Sequence, residues 1–322
     1  MGAHYCGLDV GTSRLIAQTM TLSIATQSSE VWQMDNVISP IQAELNEIYR
    51  GILGVEKGTC ISAVRHELGV ASQRVRADAA ALKFRNYILS MDNGRLPKKI
   101  YNELRSDSKG SGHRRNSVLK FFEPLAKKAN WTEIVGKYAA KEAARKYIVA
   151  KQNDVFKVEI ESKSTLENLK VWTDVEKTGP AKYLLDSCPI GLRRGPSRML
   201  KTRMRLGCHD LFVSAKRKES DRSVSGMRCL CCNRGSVETV RHALFECPEY
   251  DDIRTEFFEI ADEVVPQFSV SSDNEKCVIL FSDDTDSVLG KRSFRFFINV
   301  FKRRLVNLAA RGEGFRPQAT LL

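Results

Sequence analysis

The chain has 322 residues, of which 42% are hydrophobic and 8% aromatic. These fractions are typical of folded globular proteins and exclude an intrinsically disordered chain. The formal net charge of +12 and the pI near 9.3 favour a polyanionic partner.

Nine cysteines are unevenly spaced along the chain, which indicates reduced thiols and a metal site rather than a set of disulfides. No apolar run of membrane length and no signal-peptide pattern stands out. We therefore expect a protein of the nucleus or cytoplasm, without a membrane partner and without a small-molecule substrate.

The first predicted segment, residues 1–30, mixes small polar residues with short apolar runs and is expected to be irregular. Helical signals begin at Ser39, which has capping-box spacing to Gln42 and is followed by Pro40 at the first helical position. Apolar residues then recur at helical spacing until Gly54.

Three further helices are predicted within a helical region that covers residues 31–105. One runs from Ile61 to Gly69, and another begins at Pro97. Between them lies the strongest pattern, with an apolar face made by Ala77, Ala80, Ala81, Phe84, Tyr87, Ile88 and Met91. The residues expected off this face are Arg74, Lys83, Arg85 and Asn86.

Residues 106–195 are predicted to form a basic linker followed by a helical connector. The Gly- and Ser-rich run at 105–118 is typical of a flexible linker. Helical spacing returns from about Val118 to Gln152, with lysines and arginines expected on a solvated face.

The most basic stretch directly precedes a cysteine-rich segment. It begins at the end of the connector, and the rest of it belongs with the cysteine-rich segment to a predicted segment at 196–265. Cations neutralise phosphates and release counterions, so this stretch is the candidate nucleic-acid contact. Its residues are Arg193, Arg194, Arg198, Lys201, Arg203, Arg205, Lys216, Arg217 and Lys218.

The cysteine-rich segment contains a C-x₂-C pair, Cys229 and Cys232, followed by His242 and Cys247 at H-x₄-C spacing. Four such ligands complete a tetrahedron around Zn²⁺ and leave no position for a substrate, so one structural zinc ion is predicted. Cys231 lies between the first two ligands and could replace Cys229. The alternative interpretation is a set of free cysteines beside a core histidine.

The last predicted segment, 266–322, is an acidic loop followed by an amphipathic helix. The loop contains Phe281-Ser-Asp283-Asp284, which matches the carboxylate turn of a polymerase palm. It stands after the cysteine-rich segment, and no upstream motif supplies a partner aspartate. We therefore interpret it as a turn before the last helix and predict no catalytic residue.

The cysteine-rich segment also supports a family resemblance. It reads Cys229-Leu-Cys-Cys232, Glu238-Thr239, His242, Cys247-Pro248, Tyr250 and Arg254. This order resembles the C-terminal zinc-binding segment of non-LTR (LINE-like) retrotransposon reverse transcriptases. One departure is Asn233, where the family usually has Gly; Asn tolerates the left-handed conformation that a turn requires.

A second stretch is similar to the helical thumb that follows the palm in the same polymerases. It comprises Trp32, Asn46, Arg50, Gly54, Glu67, Gly69 and the run Arg95-Leu-Pro97. The run Lys201–Gly207 looks like the region that precedes the family's zinc segment. The resemblance covers roughly residues 30–105 and 196–265 and does not include fingers or palm.

We therefore predict a mainly α-helical protein with a small CCHC zinc-binding module and no complete polymerase palm. The resemblance implies that the chain grips template RNA or target DNA during target-primed reverse transcription and catalyses nothing alone. Two alternatives stay open: a zinc-stabilised protein-interaction scaffold, and an active RNA-directed DNA polymerase.

Overall fold

The computed structural model describes residues 10–21, 35–106, 117–131, 136–163, 166–185, 196–208, 228–283 and 287–311. Within these ranges the protein is mainly helical, as predicted, and no strand occurs. The one extended pairing among them is an isolated antiparallel bridge between Arg228 and Val237. None of the described helices is both long and apolar enough to span a membrane.

Thirteen α-helices are described. They are α1 Val10–Ile16, α2 Asp35–Leu53, α3 Ile61–Leu68, α4 Gln73–Ser90, α5 Leu96–Ser106, α6 Ser117–Lys128, α7 Lys137–Ser162, α8 Glu167–Trp172, α9 Lys182–Leu185, α10 Pro196–Arg205, α11 Asp251–Val264, α12 Asp273–Phe281 and α13 Ser287–Ala310. Short helical turns of other types cover Ala17–Thr21, His242–Glu246 and Pro248–Tyr250.

The chain divides into two compact units. The first unit is drawn from residues 1–15, 47–69 and 156–322, and the second from residues 16–46 and 70–155. Neither unit is continuous in sequence, since each takes segments from distant parts of the chain.

Several element boundaries differ from those predicted. Helix α2 begins at Asp35 rather than Ser39, so Pro40 lies inside the helix, where it removes one backbone hydrogen bond near the first turns. Helix α12 lies where an acidic loop was expected; Ser272 and Glu275 form a capping box that starts it. The helical pattern from Val118 is interrupted after α6, where Asn130 has a φ of 55°.

The N-terminal segment, predicted to be irregular, contains helix α1. Its local sequence includes Gly11 and polar residues, so the helix depends on tertiary contacts. Val10 is buried, and the Arg14 Nε atom donates a hydrogen bond to the backbone oxygen of Leu68 at 2.6 Å. Residues 1–9 lie outside the described residues.

In the second unit, helix α4 buries two polar residues that were expected off its apolar face, Arg85 and Asn86. The Arg85 guanidinium donates to both carboxylate oxygens of Glu123 on α6, at 3.2 and 3.1 Å. A bidentate pair of this kind allows a guanidinium to be buried. Conversely Tyr87, expected on the apolar face, is 60% exposed.

In the first unit, Gly69 ends α3 as predicted, with a left-handed φ of 59°. A Cβ atom at this position would lie 2.1 Å from the carbonyl carbon of Gly179. The close approach lets the Glu67 backbone oxygen accept a hydrogen bond from the Ala181 amide at 2.8 Å. Only glycine fits both the conformation and the space.

The centre of the first unit is an ion cluster of Glu67, Lys177, Tyr183, Arg205 and Asp283. The Arg205 Nη2 atom lies 2.8 Å from a Glu67 oxygen and 2.9 Å from an Asp283 oxygen. Lys177 Nζ lies 3.2 Å from Asp283, and the Tyr183 hydroxyl donates to Glu67 at 2.8 Å. Two cations balance two carboxylates, so the cluster is neutral as a whole.

The charged state of Glu67 is maintained by its partners. Burial alone would raise the pKa of Glu67, but the Arg205 and Lys177 cations lower it to about 2. The carboxylate therefore stays ionised although its side chain has no exposed surface.

His66 lies beside the ion cluster and is also buried. Its ring stacks on Phe156 with centroids 3.9 Å apart, and Nε2 lies 3.1 Å from the Asp174 backbone oxygen. Burial and the nearby Lys177 cation lower the pKa of His66 to about 4, against the opposing effect of the two cluster carboxylates. The imidazole is therefore neutral near pH 7.

Breaking the ion cluster is expected to destabilise the first unit. Glu67→Gln leaves Arg205 with one carboxylate partner, and such a loss typically costs about 3–5 kcal/mol of unfolding free energy. Glu161→Gln provides the matched control, because Glu161 forms an exposed pair with Lys170 and should cost less than about 1 kcal/mol. Urea unfolding followed by circular dichroism measures both, and equal costs would contradict the prediction.

The low pKa of His66 predicts a pH-dependent stability. Between pH 6.5 and 4 the unfolded histidine binds a proton that the folded one does not, so the free energy of unfolding falls as pH falls. The loss attributable to His66 is about 3 kcal/mol at pH 4. His66→Gln, which keeps a donor for Asp174, should remove this part of the pH dependence in urea unfolding curves. An unchanged dependence in the variant would refute it.

Candidate metal centre

Four predicted ligands lie together in the first unit. Cys229, Cys232, His242 and Cys247 are all buried, and one donor atom from each lies within 4.8 Å of the others. We call this group the Cys/His cluster. It could hold a metal ion.

The first two ligands are positioned by a tight turn. The Cys229 amide donates to the Ser236 backbone oxygen at 2.7 Å, beside the isolated bridge of Arg228 and Val237. The left-handed residue of the turn is Gly235, with a φ of 68°. Asn233, expected to tolerate the left-handed conformation, does not adopt it.

The other two ligands are positioned by a short helical turn at His242–Glu246. The Thr239 hydroxyl oxygen accepts a hydrogen bond from the His242 amide at 3.0 Å, and the Cys247 amide donates to the His242 backbone oxygen at 2.8 Å. Arg254 Nη2 donates to the Cys247 backbone oxygen and lies 2.7 Å from Asp251. The turn is thus fixed on both sides.

The donor spacing fits a tetrahedral ion. With metal–sulfur distances of about 2.3 Å and a metal–nitrogen distance of about 2.0 Å, tetrahedral donors lie about 3.5–3.8 Å apart. The sulfurs of Cys229 and Cys247 are 4.0 Å apart, and Cys232 Sγ lies 3.5 Å from His242 Nε2. Small adjustments would complete the coordination geometry.

A carboxylate lies near the ring nitrogen of His242 that does not face Cys232. Glu246 Oε2 lies 3.4 Å from His242 Nδ1, on the opposite side of the ring from Cys232. Such a carboxylate orients a metal-binding imidazole and increases its basicity. The Cys229 thiolate also raises the pKa of His242, with a further contribution from Glu246.

The geometry separates the two candidates for the first ligand. Cys231 does not belong to the group of four; it lies with Cys229 and Glu238 in a second buried group. Glu238 is held there by Arg304, whose Nε and Nη2 atoms donate to its two oxygens at 2.7 and 2.8 Å. The arrangement therefore favours Cys229 as the ligand over Cys231.

Two arginines that sequence reasoning did not assign to the centre support it. Arg304 is buried and bound to Glu238. Arg311 donates to the backbone oxygens of Leu230 and Cys231 at 2.8 and 2.6 Å, inside the first ligand turn. Both come from the last helix and its end, and no short motif connects them to the cysteines.

The core around the Cys/His cluster is aromatic. Tyr250 and Phe257 are buried in the same core as the three cysteines of the cluster. Phe257 stacks on Phe296 of α13 with centroids 4.3 Å apart. Helix α13 therefore covers the metal centre and carries part of its hydrogen bonding.

The described part of the basic stretch does not form a surface. Arg198, Lys201, Arg203 and Arg205 are all at most 5% exposed. Arg205 belongs to the ion cluster, and Arg203 Nε donates to the Gly54 backbone oxygen at 3.0 Å. A cation buried to this degree does not reach a phosphate, so these four are structural residues here. The other five predicted contacts, Arg193, Arg194, Lys216, Arg217 and Lys218, lie outside the described residues.

The motif Phe281-Ser-Asp283 lies at the end of α12, before the last helix, and the side chains of Phe281 and Asp283 are buried there. Phe281 stacks on Trp172 and Phe297, at 4.5 and 5.3 Å between centroids. Asp283 binds Arg205 and Lys177 and accepts a hydrogen bond from the Thr173 hydroxyl at 2.7 Å. Its carboxylate is thus used in the ion cluster.

Substitution of the ligands is expected to remove metal from the protein. Cys232→Ser should reduce bound metal from one ion per chain to none, because one of four donors is lost. Cys208→Ser is the matched control, since Cys208 is a buried thiol outside the cluster, with a pKa raised by burial to about 11. Elemental analysis of purified variants provides the measurement.

The same measurement distinguishes the two candidates for the first ligand. Cys229→Ser should lose the ion and Cys231→Ser should retain it, because only Cys229 belongs to the group of four. The reverse outcome would assign the position to Cys231.

No protein-family model, no curated protein and no solved structure gives a significant match to this chain.

Proposed function

We propose that this chain is a zinc-stabilised module that binds nucleic acid, as the C-terminal part of a LINE-like reverse transcriptase would. The observation that carries the proposal is the buried Cys/His cluster within a basic, helical chain. In this proposal the module grips template RNA or target DNA during target-primed reverse transcription, and it does not catalyse the reaction alone.

Zinc is the ion that best suits the cluster. Three sulfur donors and one imidazole nitrogen at tetrahedral spacing are typical of structural zinc sites. All four donors come from the chain, and all are buried, so a bound ion would have no free position for a substrate. The role proposed for it is therefore to stabilise the fold.

The metal would stabilise more than its own turn. The three cysteines of the cluster share one hydrophobic core with helices α11, α12 and α13, and Arg304 and Arg311 bind residues of the segment that carries them. Because metal binding contributes directly to the folding free energy, loss of zinc would loosen this whole part of the first unit.

Charge supports the nucleic-acid role. A net charge of +12 favours a polyanionic partner, and neutralising phosphates releases counterions in proportion to the number of contacts. Because Arg198, Lys201, Arg203 and Arg205 are buried, the contacts must come from other cations.

A second candidate function is a zinc-stabilised protein-interaction scaffold. The burial of those four basic residues favours it, since part of the positive charge serves the interior rather than a polyanion. An active polymerase has less support, because Asp283 is engaged by Arg205 and Lys177 instead of facing a metal site.

Zinc content and RNA binding, measured on one preparation at two salt concentrations, test the proposal. We expect one zinc ion per chain and an RNA affinity that falls steeply between 50 and 200 mM salt. Zinc without salt-dependent binding would favour the scaffold. A protein without zinc would remove the central support for the proposed function. Metal-dependent primer extension would favour an active polymerase.

A further inference from the structure

Helix α13 carries a strongly asymmetric distribution of charge. Its 24 residues include Lys291, Arg292, Arg295, Lys302, Arg303 and Arg304, and no aspartate or glutamate. Arg304 points inward to Glu238, on the side of the helix that also buries Phe297 and Phe301. The other face contains the exposed cations.

Those exposed cations form one stripe along the helix. Arg292, Arg295 and Lys302 are exposed and recur at spacings of three and seven residues, which places them on the same face. Ten residues at a rise of about 1.5 Å separate the first from the last, so the stripe is about 15 Å long. In the described part of the chain none of the three forms an ion pair. Arg303 differs, since its Nη2 lies 2.8 Å from Asp252.

The stripe borders a shallow trough between α13 and α11. One end of the trough is lined by Arg292 and Arg295, and the other by Lys302, while Asn299 and Glu256 line both ends. Ile253 lies between the helices along the whole trough. Glu256 is therefore an acid that faces the cationic wall across the trough.

We propose that a nucleic-acid phosphate backbone lies along this trough and contacts Arg292, Arg295 and Lys302. This inference rests on the proposed function and names the surface that would carry it. Three cations without a carboxylate partner on a helix without acids attract a polyanion, whose binding releases the counterions that they hold. A length of about 15 Å matches roughly four nucleotide steps of a B-form strand at about 3.4 Å each.

The experiment measures the salt dependence of binding to a fluorescent single-stranded RNA, with DNA single strands and duplexes of equal length as further arms. Arg292→Gln, Arg295→Gln and Lys302→Gln are combined in one full-length variant. Each lost contact should reduce the slope of log K against log salt by about 0.7–0.9, so the combined variant should lose about two to three units. The arm with the largest loss identifies the preferred nucleic acid.

The matched control removes the same charge elsewhere. Lys141, Arg145 and Lys146 are exposed cations of helix α7, and their combined change to Gln should leave the slope near the wild-type value. Metal content and thermal unfolding must match the wild type in both variants, which excludes a folding defect as the cause.

Glu256→Gln provides an independent readout. Removing the acid from the opposite wall should strengthen RNA binding at low salt if the backbone lies in the trough. An unchanged affinity would show that the phosphate backbone lies outside the trough and would overturn the proposed position of the nucleic acid.

The outcomes separate the two proposals. If the wild-type protein binds RNA with a steep slope of log K against log salt but the α13 variant retains that slope, the trough is not the binding surface and the proposed function stands. If the wild-type protein shows no salt-dependent binding to any nucleic acid, both are wrong. In that case the remaining occupant of the α13 surface would be a protein, one that binds the wild-type chain but not the α13 variant.

Discussion

The first unit depends on an arginine buried between two carboxylates. Arg205 has no exposed surface, and its guanidinium joins Glu67 of α3 to Asp283 after α12. A buried ion pair contributes little net stability compared with a well-packed apolar group, but the loss of either partner leaves a charge without compensation. The cluster therefore mainly affects how the first unit assembles. The segments that carry Glu67, Arg205 and Asp283 can bury their charges only when all three are in contact. The Tyr183 hydroxyl donates to the second oxygen of Glu67, and the second oxygen of Asp283 accepts from the Thr173 hydroxyl and the Asp174 amide.

Periodicity and turn chemistry were sufficient to predict much of the helical fold. The α3 helix, its glycine end and the last helix follow from local apolar spacing and from a residue that tolerates positive φ. Two features that were mispredicted, helix α1 and the burial of Arg85, depend on contacts between distant residues. Helix α1 is held by an arginine that binds the end of α3, and Arg85 is buried because Glu123 binds it. Local sequence contains no signal for such pairs.

The Cys/His cluster was more predictable than the basic residues around it. Ligands that bind one ion must recur at a few short spacings, so the positions of Cys229, Cys232, His242 and Cys247 could be read from the chain. An arginine, in contrast, has the same sequence signature whether it faces water or a buried carboxylate. The run 198–205 illustrates this point, because its cations alternate in sequence with the core residues Met199, Leu200 and Met204 and point inward with them. Which cations face solvent becomes visible only once the helices are packed.

The order of the segments in the ion cluster has a consequence for synthesis on the ribosome. Arg205 follows Glu67 by 138 residues. At a synthesis rate of about 5–20 residues per second, Arg205 is made roughly 7–28 seconds after Glu67. During that time Glu67 must stay hydrated, because burying a lone carboxylate is costly. Helix α3 therefore cannot pack into the first unit before Arg205 has been made. Asp283 is made later still. The ion cluster can close only after Asp283 has been made.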